Sequence, residues 1–211
     1  MKLLSILALA LTLCACSTAY YNTMEKFGVH KRNIMIDRVE EARDAQKDGQ
    51  EQFESALAQF KSVVSVDGGE LEKTYNTLNR EYEDSFDSAE EIRKRIDSVE
   101  SVAEDLFDEW EEELDRYSSD TLRRDSERKL ESTRQQYSQL IGLMRVSEER
   151  LDPVLQAMED QVLFLKHNLN TQAIASLQEE AVRIDDDVGQ LIDALRKSIA
   201  EADSFIQTMR E

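Results

Sequence analysis

Residues 71–117 read LEKTYNTLNREYEDSFDSAEEIRKRIDSVESVAEDLFDEWEEELDRY, and their spacing decides the fold. Apolar or small residues recur at Leu71, Tyr75, Leu78, Tyr82, Phe86, Ala89, Ile92, Ile96, Val99, Ala103, Leu106, Trp110, Leu114 and Tyr117. Every step is three or four. Strand alternation cannot produce that spacing, whereas one face of an α-helix does. No Pro or Gly interrupts the stripe, so the spacing predicts one unbroken helix.

Similar stripes lie on both sides. Upstream, Met35, Val39, Ala42, Gln46, Gly49, Phe53, Leu57, Phe60 and Val64 share a face, with Gln46 and Gly49 as its weak points. Ser65-Val66-Asp67-Gly68-Gly69 ends that segment, because glycine stops helices and Ser or Asp caps the next. Downstream, Ser118-Ser119-Asp120 supplies a turn and cap. A third stripe then runs from Leu122 through Leu130, Tyr137, Leu140, Met144, Leu151, Leu155, Met158, Val162 and Leu165 to Leu169. Beyond Asn168 to Thr171, a fourth takes Ile174, Leu177, Ala181, Ile184, Val188, Leu191, Leu195, Ala202, Ile206 and Met209.

Helices of roughly 40 to 50 residues reach about 60–75 Å. Short connections between matched lengths favour antiparallel neighbours. The expected fold is therefore all-α: an elongated antiparallel bundle of four long helices with coiled-coil packing. An intermolecular coiled coil shares the same pattern, so a homodimer is an open alternative. Pro153 is the only proline in the chain. It removes a backbone donor and crowds the preceding turn, so the third helix is expected to kink or break between Ser147 and Pro153.

The N-terminus carries a different signal. Lys2 precedes a short apolar run, Leu3 to Leu13, which is too short to cross a bilayer. Leu13-Cys14-Ala15-Cys16-Ser17 follows and resembles the lipobox of bacterial lipoproteins. Cys16 is the expected acceptor, because Ala15 then occupies the small-residue cleavage site and Leu13 the apolar position two residues earlier. Residues 1–15 read as a lipoprotein signal peptide, 16–23 as a lipidated N-terminus with a short tether, and 24–211 as a single bundle domain. Two or three acyl chains would hold such a protein on a membrane far more firmly than one. Ser17 after the cysteine favours the periplasmic face of the outer membrane. Neither cysteine would remain free in the mature chain, which leaves no thiolate chemistry.

Charge sorts the functional classes. Charged residues make up 34% of the chain and the formal net charge is −19. Such a field repels nucleic acid. The local exception lies beside the tether, where Lys26, Lys31, Arg32 and Arg38 outnumber Glu25 and Asp37. Lys26, Lys31 and Arg32 are the candidate contacts with an anionic membrane surface.

The residues point away from an enzyme. His30 and His167 belong to opposite ends of an antiparallel bundle. The chain has no Glu-x-x-His pair, phosphate loop or nucleophile elbow. The acidic tracts Asp105 to Asp115 and Asp185-Asp186-Asp187 lie within helical stripes. Helical geometry fans their carboxylates outward instead of converging them on a cation. No metal or other cofactor is expected. By contrast, Val162-Leu163-Phe164-Leu165 is wider than one helix face. Leu163, Phe164 and Lys166 are therefore the candidate partner surface, at the end remote from the tether.

Tyr20-Tyr21-Asn22-Thr23-Met24-Glu25-Lys26-Phe27-Gly28-Val29-His30-Lys31-Arg32, with Asp37-Arg38-Val39-Glu40 after it, resembles the start of a proteobacterial lipoprotein family known only as a domain of unknown function. Phe107 to Glu111 and Val162 to Asn170 resemble its later segments, so the resemblance spans essentially the whole mature chain. Asn33 stands where Asp often follows the Lys-Arg pair. The resemblance implies a helical envelope lipoprotein and brings no activity or ligand. The expected role is structural or protein-interacting, with an envelope protein as partner. Two alternatives are a membrane-surface-binding helical module and a bundle that holds a small ligand or cation.

Overall fold

The computed structural model describes residues 30–64, 71–168 and 171–210. Five helices account for nearly all of them: α1 (Lys31–Val64), α2 (Leu71–Leu114), α3 (Asp120–Glu149), α4 (Leu151–His167) and α5 (Thr171–Arg210). α3 and α4 form one bent rod, so the architecture is a bundle of four antiparallel rods, as the stripes predict. α1 packs between α2 and α5, and the α3–α4 rod closes the bundle by packing on the other side of α2 and α5. α2 alone is 44 residues, about 66 Å of helix.

Each helix begins and ends for a local reason. The His30 carbonyl accepts from the amides of Asn33 and Ile34 and opens α1. Ser119 caps α3, its hydroxyl accepting from the Leu122 amide at 3.5 Å. The bend falls at Arg150, inside the expected window. Pro153 sits in the first turn of α4, where its missing N–H costs no helical hydrogen bond. Its ring excludes a continuous helix through Glu149. The Arg150 amide donates instead to the Ser147 carbonyl at 3.2 Å, a tighter turn.

One apolar core runs along the axis. Phe53, Ile92, Ile96, Leu140, Met144, Leu151, Leu165, Leu191 and Leu195 are completely buried. The predicted stripe fails at three aliphatic or aromatic positions. Phe86, Tyr117 and Leu122 are exposed. Beside Phe86 the buried positions belong to Glu81 and Ser85, which face Gln52 of α1 at 3.4 and 3.5 Å from its amide nitrogen. Tyr117 lies beyond the end of α2, in the turn to α3. Among the described residues no helix is long and apolar enough to cross a membrane.

Gln46 and Gly49, the weak points of the first stripe, are both buried. A Cβ on Gly49 would stand 2.6 Å from the Ile92 Cδ1, so the missing side chain is the space that Ile92 fills. Gln46 bridges three rods. Its amide nitrogen donates to the Ser147 hydroxyl at 2.9 Å, and its oxygen accepts from the Ser198 hydroxyl at 2.8 Å. The Ser147 hydroxyl in turn donates to the Met144 carbonyl at 2.7 Å. The charged surface locks the same region. Arg145 of α3 reaches Asp97 and Glu100 of α2 as well as Glu148, and Arg93 of α2 holds Asp152 at the start of α4.

Tyr137 offers a pH test of this packing. Its ring meets Phe107 edge-on at 5.4 Å. Burial, reinforced by Glu100, pushes its hydroxyl up to about 12 from an ordinary value of 10. The folded protein therefore holds this proton over a window in which the unfolded chain releases it. The resulting stabilisation is complete below pH 10 and is lost as pH rises to 12. Tyr137→Phe should flatten that part of the stability–pH curve, measured by urea unfolding at successive pH values.

Candidate functional site

The two ends of the bundle differ in chemistry. The first end gathers the start of α1, the α2–α3 turn and the end of α5. Lys31 is buried here, its ammonium 3.2 Å from Glu109 Oε2 and 3.4 Å from the Asp105 carbonyl. Arg32 is exposed, but its guanidinium donates to the Met209 carbonyl at the C-terminal end of α5, where a helix presents partial negative charge. Of the three candidate membrane contacts, then, Lys31 is turned into the bundle and Arg32 ties two helix ends together. Lys26 and the candidate lipidation site Cys16 lie outside the described residues.

Between these helix ends opens a cleft of about 480 Å³. His30, Trp110, Tyr117 and Leu122 contribute rings and aliphatic carbon to its walls, and Glu113 and Lys129 add charge of both signs. The Trp110 indole N–H donates to the Ser126 hydroxyl at 2.7 Å, which fixes the ring across the α2–α3 turn. Tyr117 and Leu122 leave 42% and 57% of their surface exposed. The sequence stripes assign all three to the core. Their closeness across Ser118 to Asp120 is the signal that could have found the cleft.

The opposite end carries the apolar run. Val162 and Leu165 are buried, whereas Leu163 is 47% and Phe164 38% exposed. Lys166 is exposed beside them. The run thus divides into a core-facing pair and an outward pair, as a helix with four consecutive apolar residues must. His167 ends α4 at this end, far from His30.

Asp108, Glu111, Glu112, Glu113, Asp115, Asp185 and Asp186 of the acidic tracts face solvent, whereas Asp105 and Glu109 are partly buried beside Lys31. Glu111 pairs with Arg134, whose hydrogen bond holds the Glu111 carboxyl below its usual range. Asp185 pairs with Lys61 at 2.7 Å. Among the described residues no group of three or more His, Cys, Asp or Glu side chains could hold a metal ion. Arg95 of α2 pairs with Glu91 within its own helix and with Glu41 of α1, and the second contact braces the two helices against one another.

Residues 20–209 match the family model described as "Protein of unknown function (DUF2959)". The chain belongs to this family. The match spans the bundle to within one residue of the end of α5 and begins ten residues before His30, so the DUF2959 unit includes sequence ahead of α1. No curated protein matches the chain.

Proposed function

We propose that this DUF2959 protein is an envelope lipoprotein, anchored through Cys16 to the periplasmic face of the outer membrane, with a structural or protein-interaction role. The observation that supports this reading best is the polarity of the rod. The chain enters the bundle at His30, fourteen residues after Cys16. The exposed apolar pair Leu163 and Phe164 lies at the other end, about 50 Å away along the 34-residue α1. A lipid at one pole and an apolar patch at the other suit a spacer that meets an envelope protein away from the bilayer. The patch calls for a partner with an apolar surface and an acidic group near Lys166.

Two measurements test the proposal. Cys16→Ser should abolish palmitate incorporation and release the protein from the membrane fraction. A photo-crosslinking residue in place of Phe164 should give a discrete adduct in living cells, lost on Leu163→Asp. The same probe in place of the exposed mid-rod Lys94 should give none. Equal adducts at both positions would reject the remote-end contact.

A further inference from the structure

We propose that the cleft at the chain-entry end is the seat of the protein's own segment Tyr20–Val29. Position is the first argument. His30 lines the cleft, so the ten residues before it start at its rim. Even fully extended they reach no more than about 36 Å. Linkage of this kind holds a segment near its site at high effective concentration, and little intrinsic affinity is needed to fill it.

Composition is the second argument. Tyr20, Tyr21, Met24, Phe27 and Val29 make half of this segment apolar, in a chain that is otherwise strongly charged. The opposing wall exposes Tyr117 and Leu122, two of the six large hydrophobic residues left exposed among those described. A volume of about 480 Å³ has room for a few aromatic side chains and falls in the ordinary range of preformed binding pockets, roughly 300–1,000 Å³. The family unit itself begins at Tyr20. A featureless spacer between anchor and bundle gives no reason for the family unit to start there.

Docking would leave only Ser17 to Ala19 between Cys16 and the seated segment. If Cys16 is lipidated as proposed above, the bundle end would then stand directly on the membrane surface. The seat itself does not depend on lipid, so the two readings fail separately.

Trp110 is the single tryptophan of the chain and lines the cleft, so its emission reads occupancy directly. The full chain, with Cys14→Ser and Cys16→Ser, is compared with the same chain carrying Tyr21→Ser and Phe27→Ser. The substitutions should raise the acrylamide quenching constant of Trp110 about twofold and shift its emission to the red, while Phe27→Leu should preserve protection. A nitroxide attached at Met24→Cys should quench Trp110 in the folded protein and lose that effect in urea. Unchanged acrylamide quenching, or no nitroxide quenching, overturns the proposal. Nitroxide quenching that grows with protein concentration also overturns it, because the occupant is then a second copy.

Discussion

Gln46→Ala is expected to lower the stability of the bundle by about 3 kcal/mol, because three kinds of loss coincide. The side chain is completely buried at the junction of α1, α3 and α5. Truncation opens a cavity, and large-to-small changes in a core typically cost about 2–5 kcal/mol. It also removes the acceptor of the Ser198 hydroxyl and the donor to the Ser147 hydroxyl. An unsatisfied buried polar group adds roughly 1–3 kcal/mol. Ser147 keeps the Met144 carbonyl and Ser198 can turn to its own helix, so the lower part of that range applies. The corresponding drop in Tm is about 6–12 °C for a chain of this size.

A second variant separates the polar contribution from the packing contribution. Gln46→Leu with Ser147→Ala and Ser198→Ala removes all three polar partners and keeps most of the volume. It should unfold within about 1 kcal/mol of the native protein, or be more stable, since exchanging a satisfied buried polar group for carbon is often neutral. What the layer adds is register: a one-turn slide of α1 leaves Gln46 facing hydrocarbon. The triple variant should therefore show broader amide signals around the bend at Arg150 despite its stability. Equal losses in the single and triple variants would mean that the hydrogen bonds, and not the volume, carry the stability at this level.

That layer also marks where the sequence ceases to be legible. Steps of three and four reveal the four rods, since a stripe depends only on residues close in the chain. Pro153 reveals the bend for the same reason, because its effect is confined to the turn before it. Gln46 reads as a defect in its stripe because its partners lie 101 and 152 residues away. Phe86 shows the complementary error. A stripe of threes and fours has two adjacent solutions, and here the buried one passes through Ser85, where Gln52 of α1 supplies a polar neighbour.

The ends of the bundle were less legible than its middle. Lys31 and Arg32 read as a basic surface because nothing in their own segment announces Glu109 or the Met209 carbonyl. Trp110 and Leu122 fit the core stripes, yet beside the α2–α3 turn they line a cleft instead of a seam. Leu163 and Phe164 were legible because four consecutive apolar residues exceed what one helix face can bury.

Glu109→Ala is expected to cost about 3 kcal/mol, more than Lys31→Met, although both break the same ion pair. The two partners differ in access to water. The Lys31 side chain is 5% exposed and that of Glu109 is 24% exposed. Removing Glu109 takes the nearest carboxylate from an enclosed ammonium, and stranding a buried charge costs roughly 3–5 kcal/mol. The Asp105 carbonyl at 3.4 Å retains part of the compensation, which places the effect at the low end. Lys31→Met keeps the aliphatic stem in place and leaves a carboxylate that water can already reach, so about 1 kcal/mol is expected. Urea unfolding midpoints at neutral pH measure the difference. The double variant should recover most of the Glu109→Ala loss, since no ammonium then remains to be stranded. Equal effects of the two single substitutions would place Lys31 in contact with solvent. The entry end of α1 would then be held by its apolar residues Ile34, Met35 and Ile36 and by the Arg32 contact with the Met209 carbonyl.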